Sequence, residues 1–163
     1  MADFSVTMTG LDDLNKKIEA LKYDASRKGG RFALRKAAQV VRDQARANAL
    51  ALNDPRTSEV IAKNITEKWG SKYNKTTGDL MFRIGVLGGA RDYSAYGEIT
   101  TGKTASANPG GDTFYWRFVE FGTEKLAARP FMRPAIENTS QKATDVFITQ
   151  FNAALDRALR KVK

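Results

Sequence analysis

Two long amphipathic stretches constrain what this chain can fold into. Between about Ala25 and Leu50, the residues Leu34, Ala37, Val40, Val41 and Ala47 recur at helical spacing. From Pro134 to about Val162, the residues Ala143, Phe147, Phe151, Ala154, Leu155, Ala158 and Val162 form one stripe. A helix with a single apolar stripe must lay it against another element, so helices dominate the expected architecture. A shorter helical stretch, Leu11, Leu14, Ile18 and Leu21, precedes the first long one, with Asp12 or Asp13 suited to cap it. Its apolar face is turned about a quarter-circle from that of the next stretch. Gly29 and Gly30 sit near the join. Two glycines weaken a helix by roughly 1 kcal/mol each, which predicts a kink or break there.

The remainder alternates differently. Phe4, Val6 and Met8 alternate with Ser5, Thr7 and Thr9, the period of a short half-buried strand. Asn53-Asp54-Pro55 is a turn, and a short helix is expected within Thr57 to Asn64. Ile65–Tyr73 and Asp79–Leu87 are predicted as the two strands of a hairpin, joined by Asn74-Lys75-Thr76-Thr77-Gly78. Residues 88–112 are glycine-rich with little apolar content, too long for a mere connection, so they are either functional or ordered only in an assembly. Residues 113–121, TFYWRFVEF, are nearly all aromatic or β-branched. They suit a central strand, or a strand with one face in the core and one in a subunit interface. Arg129-Pro130-Phe131-Met132-Arg133-Pro134 is a rigid connector, and Pro134 suits the first turn of the last helix. The expected fold class is α+β. An antiparallel sheet of three to four strands packs on a long N-terminal helix pair and a C-terminal helix, in one domain over 1–163 with a long flexible loop at 88–112.

Composition restricts the chemistry. The chain has no cysteine and no histidine, which removes disulfides, thiolate or imidazole metal sites, and triads built on either residue. Gly97 to Thr104 matches G-x-x-x-x-G-K-[ST] in letters. A phosphate-binding loop also needs an apolar strand before it and a helix after it. Here a polar segment precedes, and Ala105 to Gly111, with Pro109 and two glycines, cannot continue as a helix. Glu120 is the one acid inside the apolar run 113–121, and a pair with Arg133, Arg117 or another local donor is the expected reason. No enzymatic activity and no cofactor are expected. Neither a secretory signal nor a membrane-spanning run is visible.

The charge is uneven. The net charge is +9, and residues 16–46 alone hold ten Lys or Arg against three acids. On a helical wheel Arg27, Lys28, Arg31, Arg35, Arg42 and Arg46 share one arc. Such a stripe is either a solvated face or a surface for DNA phosphates or an acidic subunit. Its bias towards arginine, which makes forked contacts to carboxylates and phosphates, speaks for a partner.

Phe118-Val119-Glu120-Phe121-Gly122-Thr123 followed by Ala128-Arg129-Pro130-Phe131-Met132-Arg133-Pro134-Ala135 resembles the VEFGT…PFMRPA signature of tail-completion, or head–tail joining, proteins of long-tailed bacteriophages. The resemblance rests on Phe118, Glu120, Gly122, Thr123, Pro130, Phe131, Arg133 and Pro134 as signature and interface residues. It implies a structural virion protein of the neck, made in the host cytoplasm. The implied partners are further copies in a homo-oligomeric ring of six and neighbouring neck and tail-tube proteins, with packaged double-stranded DNA or an acidic neighbour facing Arg31, Arg35, Arg42 and Arg46. The alternative is a non-enzymatic DNA-binding protein that uses the basic helix face.

Overall fold

The computed structural model of the chain describes residue 19 and residues 24–52, 60–87, 108–111 and 113–160. The predicted first strand, nearly all of the first helical stretch, the Asn53–Pro55 turn, most of the glycine-rich loop and the Gly97–Thr104 motif lie outside these residues.

The Gly29-Gly30 pair does not break the chain. A π-helical turn, Asp24–Gly29, passes directly into the helix α1, Gly30–Leu50. The long last helix, α5, spans Met132–Arg160 and packs along α1. The two meet through small side chains: Ala33, Ala37, Ala38, Ala45 and Ala49 on α1, and Ala135, Thr139, Ala154 and Ala158 on α5, are buried. Small contact residues let helix axes approach closely. The deepest face of α1 is therefore its alanines, whereas Leu34, Val40 and Val41 are half-buried and Ala47 is exposed. At one end Asn48 Nδ2 donates to the Phe131 carbonyl at 3.0 Å, placing the C-terminus of α1 beside the N-terminus of α5.

A four-residue helix α2, Ile61–Asn64, leads straight into strand β1, Ile65–Trp69. Strand β2, Phe82–Val86, pairs antiparallel with β1, with Ile65 opposite Val86 and Trp69 opposite Phe82. The hairpin is present, but its strands are shorter than the sequence suggests. The segment between them is a helix, α3, Ser71–Thr77. Gly78, at φ 81°, closes α3 in the left-handed conformation, with its N–H on the Asn74 carbonyl at 2.9 Å. Among the described residues the sheet has two strands, not three or four.

The largest correction concerns residues 113–121. They form no strand. Thr113, Phe114 and Tyr115 turn into a short helix α4, Trp116–Phe121. Helical spacing puts Trp116, Val119 and Glu120 on one inward face, and Phe121 is 62% exposed. Aromatic and β-branched content favours strands, but tertiary contacts override so weak a preference. The core gathers at this end of the molecule: Ala45, Ala49, Ala62, Ile65, Phe131 and Ala135, surrounded by Leu52, Val60, Ile84, Val86, Trp116, Val119 and Met132.

Candidate interaction site

Two arrangements position the residues singled out by sequence, and a third centres on a residue the sequence does not mark. The first is a clasp around Glu120. Glu120 is 4% exposed, and its carboxylate accepts from three backbone N–H groups: Phe131 and Met132 on Oε2 at 2.7 and 2.9 Å, and Arg133 on Oε1 at 3.1 Å. These belong to the opening of α5, where the first N–H groups of any helix have no intrahelical partner. Pro134 comes next and carries no N–H at all. The carboxylate and the proline together leave no opening donor of α5 unsatisfied, and the anion faces the positive end of the helix dipole. The partner of Glu120 is thus the backbone of Arg133, not its guanidinium, which is on the exposed surface. Phe131 is fully buried, Pro130 is exposed and Phe118 is half-buried.

Gly122 terminates α4 at φ 77°, and a Cβ there would stand 2.8 Å from the Ala128 nitrogen and 2.9 Å from the Leu126 carbonyl oxygen. Both reasons for a glycine apply at this position. Thr123 then turns the chain. Its N–H donates to the Leu126 carbonyl at 2.8 Å, and its hydroxyl accepts from the Leu126 N–H at 3.0 Å. Arg129 N–H donates to the Val119 carbonyl at 2.7 Å and brings the connector back onto α4.

The second arrangement is the arginine stripe, which faces the hairpin. Arg46 donates through Nε and Nη2 to the Ile65 carbonyl at 3.0 and 2.7 Å. Arg42 Nη1 reaches Glu67 Oε2 at 2.6 Å and also pairs with Asp43. Gln39 and Arg35 donate to Glu67 Oε1 at 3.3 and 3.4 Å. Arg31 lies over the Trp69 ring, 4.4 Å from its centroid. Successive residues on one side of α1 thus meet Ile65, Glu67 and Trp69, the alternate positions on one face of β1. Burial alone would push the Glu67 carboxyl up. Hydrogen bonds from Arg42, its own backbone and Gln39, with the Arg42 charge, outweigh that and hold it at about 2. Burial also opposes the charge on Arg42, but Glu67 and Asp43 push its pKa above the ordinary value. The stripe is not uniformly accessible. The Arg42 side chain is 17% exposed and Arg46 is half-buried, while Arg31 and Arg35 remain exposed.

Past Arg35 the stripe opens into a groove of about 530 Å³ lined by Lys28, Arg31, Phe32, Arg35, Glu67, Trp69 and Phe82.

The third arrangement escaped sequence reasoning. Asn64 is fully buried; its Nδ2 donates to the Gly111 carbonyl at 2.9 Å and Thr113 Oγ1 at 2.8 Å, and its Oδ1 accepts the Gly110 N–H at 2.7 Å. Its own carbonyl accepts the Leu87 N–H at 2.8 Å. One residue therefore holds both ends of the glycine-rich segment. Nothing marks Asn64 in the sequence except its place just before a strand.

Among the described residues, no helix is long and apolar enough to cross a membrane, and no group of His, Cys, Asp and Glu is placed to hold a metal ion. Comparison with curated proteins and with solved structures gives no match. A family model described as "Bacteriophage HK97-gp10, putative tail-component" matches residues 12–122. The match takes in the arginine stripe, the hairpin and α4, and it ends at Gly122, before the proline connector and α5. By that match over most of its length, the chain belongs to the HK97-gp10-like family of bacteriophage tail components.

Proposed function

We propose that this chain completes the tail, or joins tail to head, in the neck of a tailed bacteriophage, and that it does so as a ring of identical copies without catalysing a reaction. Membership of a tail-component family carries the reading. The distribution of side chains supports it. Among the described residues the fully buried large apolar side chains are Phe131 and Ile65, whereas Phe32, Leu50, Tyr73, Phe121, Leu126, Ile136, Ile148 and Leu159 are each at least 43% exposed. Scattered exposed apolar residues are ordinary, but a surface richer in them than the core fits a subunit that reaches its buried state in an assembly. The chain acts in the virion, against further copies and neighbouring neck and tail proteins.

Contact with packaged DNA is the second reading. Arg42 and Arg46 are engaged with Glu67 and Ile65, which leaves it chiefly Arg31 and Arg35. A phage that lacks this chain is expected to produce DNA-filled heads and separate tails that fail to join, with joining restored when the chain is supplied. Normal virions made without the chain overturn the reading.

A further inference from the structure

The structure presents a receptor at one end of α1 and a matching projection at the other. The receptor is the groove of about 530 Å³ around Arg31 and Trp69, within the ~300–1,000 Å³ that small-ligand pockets enclose. Its apolar surface comes from Phe32, which is 44% exposed, and from Trp69 and Phe82, whose ring centroids are 5.2 Å apart. Arg31 lies over Trp69 and has no hydrogen-bond or ion-pair partner among the described residues. A guanidinium held by its face keeps its in-plane N–H groups open for a carboxylate.

The projection is the turn after α4. Phe121 and Leu126 are 62% and 50% exposed, and Glu124 between them is exposed and without an ion-pair or hydrogen-bond partner among the described residues. The turn is stiff. Gly122 N–H donates to the Phe118 carbonyl at 2.9 Å, and Thr123 closes the turn onto Leu126 through its backbone and its hydroxyl. A surface already fixed in shape loses little freedom on docking. Lys125 is the turn's one cation, so the charge match rests on Glu124 and most of the burial on Phe121 and Leu126.

We propose that the Phe121–Leu126 turn of one copy seats in the Arg31–Trp69 groove of the next, with Glu124 on Arg31 and the two apolar side chains against Phe32, Trp69 and Phe82. The inference rests on the ring reading above and names its interface. The turn lies beside Phe131, hence beside Asn48 near the end of α1. The groove lies 17 residues earlier, at Arg31, about 25 Å away at 1.5 Å per residue. The two surfaces are too far apart to meet within one copy. A contact between unlike surfaces is head-to-tail, which gives a ring where the rotation closes and a filament where it does not. Duplex DNA is the weaker occupant, since specific binders neutralise about 6 to 10 phosphates and the groove lines up three cations.

The chain has no cysteine, so introduced thiols can be read without background. The full chain carrying Phe32→Cys and Leu126→Cys together is expected to give a reducible ladder of covalent multimers on oxidation, in solution at high concentration and in assembled particles. Either substitution alone should give no ladder. Glu124→Lys in the double-cysteine chain should lower the cross-linked fraction at least tenfold, and adding Arg31→Glu should restore it. Particles that contain the chain in several copies yet give no ladder overturn this interface while leaving the ring reading standing. Salt-sensitive DNA retention that Arg31→Glu abolishes, again with no ladder, overturns it in favour of DNA. Heads and tails that join without the chain refute the ring reading, whatever the cross-linking shows.

Discussion

Glu120 is a buried carboxylate with no cationic side chain paired to it among the described residues. Its stability comes from a helix that would otherwise open on bare N–H groups. Hydrogen bonds to a charged acceptor contribute about 1.5–3 kcal/mol, and a buried donor left without one costs about 1–3 kcal/mol. Glu120→Gln keeps one acceptor oxygen and turns an NH₂ towards the remaining donor. It is expected to lower the unfolding free energy by about 2–3 kcal/mol in urea titration, while Arg133→Gln, which leaves the backbone N–H in place, should change it by less than about 0.5 kcal/mol. Equal losses from the two would mean that the guanidinium shares in the clasp. The residue itself is legible in the sequence, as an acid in an apolar run. Its partner is not. A guanidinium thirteen positions away is easily imagined from a sequence, whereas three main-chain donors become visible only once the connector has folded back. Asn64 is less legible still, because a buried polar hub has the same letter as any surface asparagine.

At the scale of elements, the arginine stripe is plain in the sequence but the side it faces is not. Helical periodicity groups Arg31, Arg35, Arg42 and Arg46 on one face without saying what lies opposite. The signal that could tell is in β1, where Ile65, Glu67 and Trp69 alternate with Thr66 and Lys68, so that one acid and one indole share a face. A pH dependence follows. The Glu67 carboxyl titrates near 2 when folded and near 4.5 ordinarily. A depressed folded pKa contributes stability that is complete above the unfolded value and is lost as pH falls through the folded one. Unfolding measured from pH 6 down to pH 2 should therefore weaken most steeply below about pH 4.5. Glu67→Gln should be less stable at pH 6 and show a shallower acid decline. A decline as steep as that of the unaltered chain would place the titrating group elsewhere. Helices α1 and α5 are readable because an apolar period of 3.6 residues, sustained over many turns, matches the helix and no strand. The segment 113–121 misleads because nine residues are too few for a period to assert itself against aromatic content. The deciding features, the Gly122 stop and the Glu120 clasp, act through contacts with residues 126–133.

At the scale of the whole molecule, the buried apolar residues among those described are mostly alanines, and the two long helices pack closely through them. The hinge of the design is Asn64, which ties Leu87 to Gly110 and Gly111 through its own backbone and amide groups. Closure of the intervening segment is set by that knot, whatever its length. Lengthening a closed loop costs only about 0.6 kcal/mol per doubling. A ten-residue polar insertion near position 98 is expected to leave stability in urea unchanged to within about 0.5 kcal/mol; a larger loss would show that the segment itself carries packing. Asn64 thus joins three stretches distant in sequence, at 64, 87 and 110–113, at one buried point. Removing that one side chain would release the approach to α4 at Gly110, Gly111 and Thr113, while the Leu87 N–H kept its main-chain acceptor, so the two ends of the segment are tied by separable means.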